Sequence, residues 1–164
     1  MIVEETPEKP GWFNNMFFCS YAMRENYLTY RDFVFINKRF DKTRFSRSLL
    51  LICGVSSGGR CILFGFAFIT KEDEENYDWA ATHFGKALCN DEQPKTVVIE
   101  RNAALRSSLK RCFQACFNPN VPVMYCFNHY QRCIRSFFDA AKNSQAKHWS
   151  GANELIDPMA TYVN

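Results

Sequence analysis

No stretch of this chain is long and apolar enough to cross a bilayer as a helix. The longest apolar runs, Leu49 to Val55 and Cys61 to Ile69, fall well short of the roughly 20 residues that a spanning helix needs. A charged leader with an apolar core and a small-residue cleavage site is also missing from the N-terminus, so a soluble intracellular chain is expected. Internal repeats and low-complexity tracts are absent, which argues against solenoid and linker classes. Acids are scarce in two segments: residues 24–60 carry eight Lys or Arg against three acids, and residues 101–147 carry eight against one. The acids gather between them, with seven against one lysine over residues 72–92.

What is present argues for one packed domain. Hydrophobic residues make up 47% of the 164, and aromatics 16%, which is enough for a proper core. The 8 cysteines are spread through apolar periodic segments, where free thiols behave as small buried residues, unlike those of a short, loop-rich disulfide scaffold. The charge distribution fits either a polyanion-facing side opposite an acidic back or ordinary solvated helix faces. On the first reading Lys38, Arg39, Lys42, Arg44, Arg47 and Arg101 are the nucleic-acid-facing residues.

Patterning gives a coarse order. Residues 1–11 look like a loose lead-in and 12–30 is aromatic and undecided. Phe33 to Ile36 reads as a short buried strand, followed by a basic turn over 38–47. Ser48 to Val55 and Arg60 to Ile69 form a hairpin across Ser56-Ser57-Gly58-Gly59, both arms lying inside a sheet. Thr70 with Asp73 or Glu74 starts a helix carrying Tyr77, Ala80, Ala81, Phe84, Ala87 and Leu88 on one face. Then come a strand over 96–99, a helix with Leu105, Leu109, Cys112, Phe113 and Cys116, a strand over 121–125, and a helix lined by Tyr130, Cys133, Ile134, Phe137, Phe138 and Ala141. The predicted class is α/β: a ribonuclease-H-like mixed sheet, a three-strand meander followed by alternating helices and strands, incomplete at its C-terminus. The expected divisions are a lead-in over 1–26, the ribonuclease-H-like domain over 27–143 and a tail over 144–164.

Particular residues sharpen this. Phe33 to Leu50, Ile52-Cys53-Gly54-Val55, Phe64-Gly65-Phe66-Ala67, Glu74 to Trp79, Val98 to Leu105 and Cys126-Phe127-Asn128-His129 fall in one order and spacing. Taken together, that set over about Tyr27 to Phe138 resembles the catalytic domain of Mutator-like element (MULE) transposases, a module that also recurs in transposase-derived plant transcription regulators. The resemblance implies an aspartate, aspartate, glutamate triad holding two Mg²⁺ ions that activate a nucleophile and stabilise the leaving oxygen of a phosphodiester. It also implies DNA as partner and the nucleus as location.

Carried over residue by residue, the triad is degenerate. Asn37 stands at the first acid, where a neutral amide cannot bridge two metals as a carboxylate does. Glu100 stands at the second, keeping the charge but moving it outward by roughly 1.5 Å. The third acid is expected beyond Asn164, with Glu154 and Asp157 too early to replace it. Asp41 or Asp32 are the residues to weigh as a substitute first acid, although Asp41 more simply balances Lys42 and Arg44. Cys126 and His129 could share a Zn²⁺ with Cys133, Cys116 or Cys112; the plainer reading is a buried cysteine beside a strand-end histidine. His83 and His148 have no nameable partner.

Three functions follow: a catalytically inactive remnant or domesticated nucleic-acid- or protein-binding module, an active Mg²⁺-dependent nuclease or transposase with a rearranged carboxylate site, or a structural assembly subunit, with a protein partner or a homo-oligomer as the alternative to DNA. The first is preferred, as more consistent with a non-enzyme.

Overall fold

The sheet is assembled around strand β3 (Phe33–Arg39), in which Val34 and Ile36 are buried and alternate with Phe33, Phe35 and Asn37 on the more open face. The computed structural model describes residues 1–5, 13–39, 47–89, 92–116, 120–128, 131 and 135. In chain order the other elements are β1 (Ile2–Glu5), β2 (Phe13–Phe18), α1 (Tyr21–Tyr30), β4 (Ser48–Val55), β5 (Cys61–Ile69), α2 (Glu74–Phe84) with a π-helical turn (Gly85–Cys89), β6 (Thr96–Ile99), α3 (Ala103–Cys116) and β7 (Val123–Tyr125). They make one mixed sheet of seven strands in the order β1-β2-β5-β4-β3-β6-β7. β3, β4 and β5 are a meander of antiparallel neighbours, whereas β6 joins β3, and β7 joins β6, in parallel.

Two crossovers build that parallel half. α2 carries the chain from β5 to β6, and α3 carries it from β6 to β7. Ala80, Ala81 and Phe84 of α2 and Leu105 and Leu109 of α3 meet Ile36, Leu50, Ile52 and Ala67 of the sheet. The small alanines let α2 approach closely, and α3 is amphipathic over its whole length, with Leu105, Leu109, Cys112 and Phe113 buried. α1 joins the same core through Tyr27, fully buried and set edge-on to Phe64 and Phe84.

The hairpin over Ser56–Gly59 forms as the sequence suggests. Gly59 alone takes a positive φ (74°), while Ser56 N–H donates to the Arg60 carbonyl and Gly59 N–H to that of Ser56. Farther along, Ile52 faces Gly65 but Cys53 faces Leu63, so Phe64 is an extra, bulged residue on β5. Its ring lies over Gly54, where a Cβ would sit 2.2 Å from the ring. Glycine at 54 is thus a packing requirement.

Several expectations change. Ile2–Glu5, read as part of a loose lead-in, is a strand paired antiparallel with β2, because Ile2 and Val3 extend along Phe17 and Met16. The undecided aromatic stretch resolves into β2 and α1, the latter capped by Ser20. β3 runs on to Arg39 rather than ending at Ile36, since Lys38 and Arg39 pair with Leu50 and Leu49. Asp73, not Thr70, caps α2 by accepting from Asn76 N–H. The chain divides into two compact units, Met1–Cys126 and Phe127–Asn164; in the second, Phe127, Asn128, Gln131 and Arg135 have helical backbone, and the predicted apolar residues Tyr130, Cys133, Ile134, Phe137, Phe138 and Ala141 lie outside the described residues.

Replacing Gly54 by alanine forces the Phe64 ring out of place. The expected loss is about 1–3 kcal/mol, read as a lower urea midpoint at unchanged slope.

Candidate functional site

β3, β5, β6 and β7 all point the same way, so their carboxyl ends gather at one edge of the sheet. β3 is also where the chain's direction of travel reverses: it builds outward through β4 and β5, then returns to add β6 and β7 on the other side. Such a switch point leaves a crevice beyond the strand ends. Asn37, Lys38, Glu72, Glu100 and Cys126 all occur there.

The register Ile36 to Ile99 places Asn37 beside Glu100. β6 ends at Ile99, and Glu100 follows it at the strand end, with the Lys38 charge and backbone N–H both favouring its ionised form. Glu100 is 7% exposed; its Oε1 is buried without a hydrogen-bond partner, and so is Asn37 Oδ1. Burial pushes the Glu100 carboxyl above its ordinary range, the positive charge of Lys38 pulls it down, and the negative charge of Glu72 adds to the rise. Tyr77 is pushed up by burial and then by Glu72 and Glu100, and its hydroxyl accepts from Asn102 Nδ2 at 2.8 Å.

Glu72 is the residue that sequence reasoning missed. Lys38 Nζ lies 2.8 Å from its Oε2, and Ser48 Oγ donates to its Oε1 at 2.6 Å. These two hydrogen bonds hold its carboxyl below the usual range. Both oxygens of Glu72 are thereby engaged. In sequence it reads as one of several acids at a helix start, and Lys38 is 34 positions away. The available signal was topological: in a three-strand meander the first and third strands end at the same edge.

The remaining predicted residues scatter. Asp32 lies at the opposite end of β3 from Asn37 and pairs with Lys95 at 2.9 Å. Arg47 is turned inward: its guanidinium donates to the Asn14 carbonyl and to Thr70 Oγ1, and stands 4.4 Å from the centre of the Phe13 ring. Burial lowers its affinity for a proton. Arg39 ends β3, and Arg101 is exposed directly after Glu100. Cys126 follows β7, its N–H donating to the Ile99 carbonyl at 2.6 Å. Asp41, Lys42, Arg44, His129, Cys133, His148, Glu154 and Asp157 lie outside the described residues. His83 rests against Trp79, ring centres 4.4 Å apart, and burial lowers its pKa.

The MULE transposase domain model matches residues 33–132, from the first residue of β3 to beyond β7. This chain belongs to the MULE transposase family. No curated protein matches it. The described residues of the strand-end crevice of this MULE domain do not by themselves fit two Mg²⁺ ions. Among the described residues it offers an amide oxygen and one uncommitted carboxylate, Glu72 being engaged by Lys38 and Ser48. No group of three or more His, Cys, Asp or Glu that could hold a metal occurs among the described residues. Bridging two divalent ions takes more charge than that.

Two outcomes are expected. Because the folded-state pKa of Glu100 is raised, its charge weakens the fold at neutral pH; this weakening is absent below the ordinary value of 4.5 and grows as pH rises through the folded value. Glu100→Gln, which keeps an oxygen for the Lys38 N–H, should therefore gain roughly 1 kcal/mol at pH 7. The gain should close as denaturation is repeated at pH values falling to about 4. Arg47→Ala should lose about 1–2 kcal/mol in thermal or urea unfolding, from lost hydrogen bonds and ring contact.

Proposed function

We propose that this chain is a transposase-derived, ribonuclease-H-like domain that no longer performs two-metal phosphoryl transfer and serves as a DNA-facing module in the nucleus. The fold assignment is supported by the antiparallel β5-β4-β3 meander, by β6 and β7 added in parallel through helical crossovers, and by acid positions meeting at one edge. The observation that carries the functional reading is the pair at the switch point: Asn37 Oδ1 and Glu100 Oε1, side by side in register, with Glu72 tied to Lys38.

DNA as partner is supported by the family and by chemistry at the same edge. α3 begins directly after Arg101 and Asn102 with no acid in its first turn, so its positive end is not neutralised from within. Arg106 and Lys110 lie along the same helix, and Lys110 is exposed. Phosphates would be met by this helix start and these cations, with Mg²⁺ dispensable for binding. Lys38 and Arg47, committed inside the fold, contribute to placing the edge rather than to touching the ligand.

Calorimetry with Mg²⁺ and Mn²⁺ on the wild type and on Asn37→Asp, with plasmid nicking in parallel, tests this reading. The wild type should neither bind at millimolar metal nor nick; Asn37→Asp should gain metal binding. Nicking by the wild type would overturn the proposal and point to Glu72 released from Lys38 as an additional ligand. Fluorescence anisotropy with a DNA duplex over a salt series checks the partner: Arg101→Ala with Lys110→Ala should weaken binding and flatten the salt slope by about 2.

A further inference from the structure

A cavity of about 400 Å³ lies where β1 and β2 meet the start of α2, lined by Glu4, Asn15, Asp73, Glu75, Asn76 and Trp79. Asn15, only 2% exposed, ties three elements together there. Its Nδ2 donates to Glu4 Oε2 on β1 and to Asn76 Oδ1 on α2, each at 2.7 Å. Its Oδ1 accepts from the Thr70 N–H, just after β5, at 3.1 Å. Asn76 in turn donates to Asp73 Oδ1. The Asn15 amide is thus spent entirely within the fold, and it holds the walls of the cavity in place.

What the cavity leaves uncommitted is acceptor oxygen. Among the described residues, Glu4 Oε1 and both Glu75 oxygens take no hydrogen bond and no ion pair, unlike Glu74, which pairs with Arg111. Asp73 adds a third carboxylate, and Lys71 is the one cation among the described lining residues. Trp79 supplies an aromatic wall, its ring packed against that of His83 with centres 4.4 Å apart. A neutral sugar brings acceptors as well as donors, and a phosphodiester brings acceptors and negative charge, so neither matches this lining. A bare metal ion is also unsuited, since no group of three or more His, Cys, Asp or Glu that could hold one occurs among the described residues. A guanidinium meets every requirement: it is a planar cation with N–H donors and no acceptor, stacks on indole and forks onto carboxylates.

We propose that this cavity binds an arginine side chain presented by a basic segment of a partner protein. Its volume exceeds a guanidinium head alone and leaves room for the side-chain stem and adjoining backbone, which favours a peptide over a free small cation. The carboxylates stand on β1 and on the cap and first turn of α2, so little has to be ordered on binding. With a formal net charge of +3, the chain as a whole does not attract cationic peptides, and recognition is local to these acids. This second ligand is opposite in charge to DNA and does not rest on the DNA-facing reading.

The test is a heteronuclear NMR titration of the native chain with acetyl-Gly-Arg-Gly-amide to about 10 mM, without nucleic acid, following the Trp79 indole N–H and the Asn15 and Asn76 side-chain amides. These three signals should shift together and saturate. The same peptide with citrulline for arginine, which keeps the shape and loses the charge, should bind about tenfold more weakly. Glu75→Lys should weaken the arginine peptide by about tenfold too, at an unchanged urea midpoint, because Glu75 is exposed. Free arginine, whose α-carboxylate meets the acids of the cavity, should bind more weakly than the peptide. No saturating shift at the three signals, equal binding of the citrulline peptide, or unchanged binding by Glu75→Lys would overturn the proposal. Free arginine binding as tightly as the peptide would overturn the protein partner and assign the cavity to a small cation.

Discussion

The hydrogen bonding of β3 on both of its edges is the constraint from which the rest of this sheet follows. One edge runs antiparallel to β4 and the other parallel to β6. A strand with two different neighbours of this kind must lie where the chain reverses its direction of assembly, and its carboxyl end must open on a crevice. Burial of Val34 in the core and of Ile36 beside α2 and α3 fixes the register, because a one-residue slip would turn both toward the open face. That same register sets Asn37 beside Glu100 and puts Lys38 on the opposite side from Asn37.

The electrostatics of the described part of the edge follow from that register. Three carboxylates brought close together repel one another and need divalent charge to settle. Here the first position is an amide, which removes one like charge outright. Lys38 supplies a fixed cation to Glu72, and its backbone N–H serves Glu100. What remains is one buried, uncompensated carboxylate with a raised pKa, a modest cost for a domain of this size.

Much of this was legible from sequence, and the division has physical causes. β3, β4, β5 and β6 show as β-branched and aromatic runs because both sides of their backbone are paired within the sheet. The hairpin shows because Gly59 must take a positive φ. α2 and α3 show because their apolar spacing matches a helix lying on a sheet. β1 and β2 were hidden: Phe13-Asn14-Asn15-Met16-Phe17-Phe18 carries two amides, and Asn15 is buried only because Glu4, Asn76 and the Thr70 N–H satisfy it. Glu72 was hidden for a related reason, since its partners lie on β3 and β4, far away in sequence. Local patterning records what a residue buries and cannot record which distant group completes it.

The inward-turned Arg47 carries the same lesson to the charge pattern. Counted in sequence, it belongs to a basic cluster suited to polyanions. Folded, it ties Asn14 and Thr70 together over Phe13, at the join of β2, β4 and the loop leading to α2. Lys38 is likewise spent inside the edge. A run of cations therefore measures potential for phosphate contact only after subtracting those that the fold uses for itself. Among the described residues of that cluster, Lys38 and Arg47 are both committed to the fold, whereas Arg101 after β6 is exposed. A cation's place in a sequence cluster therefore does not say whether it faces solvent or closes a join between strands.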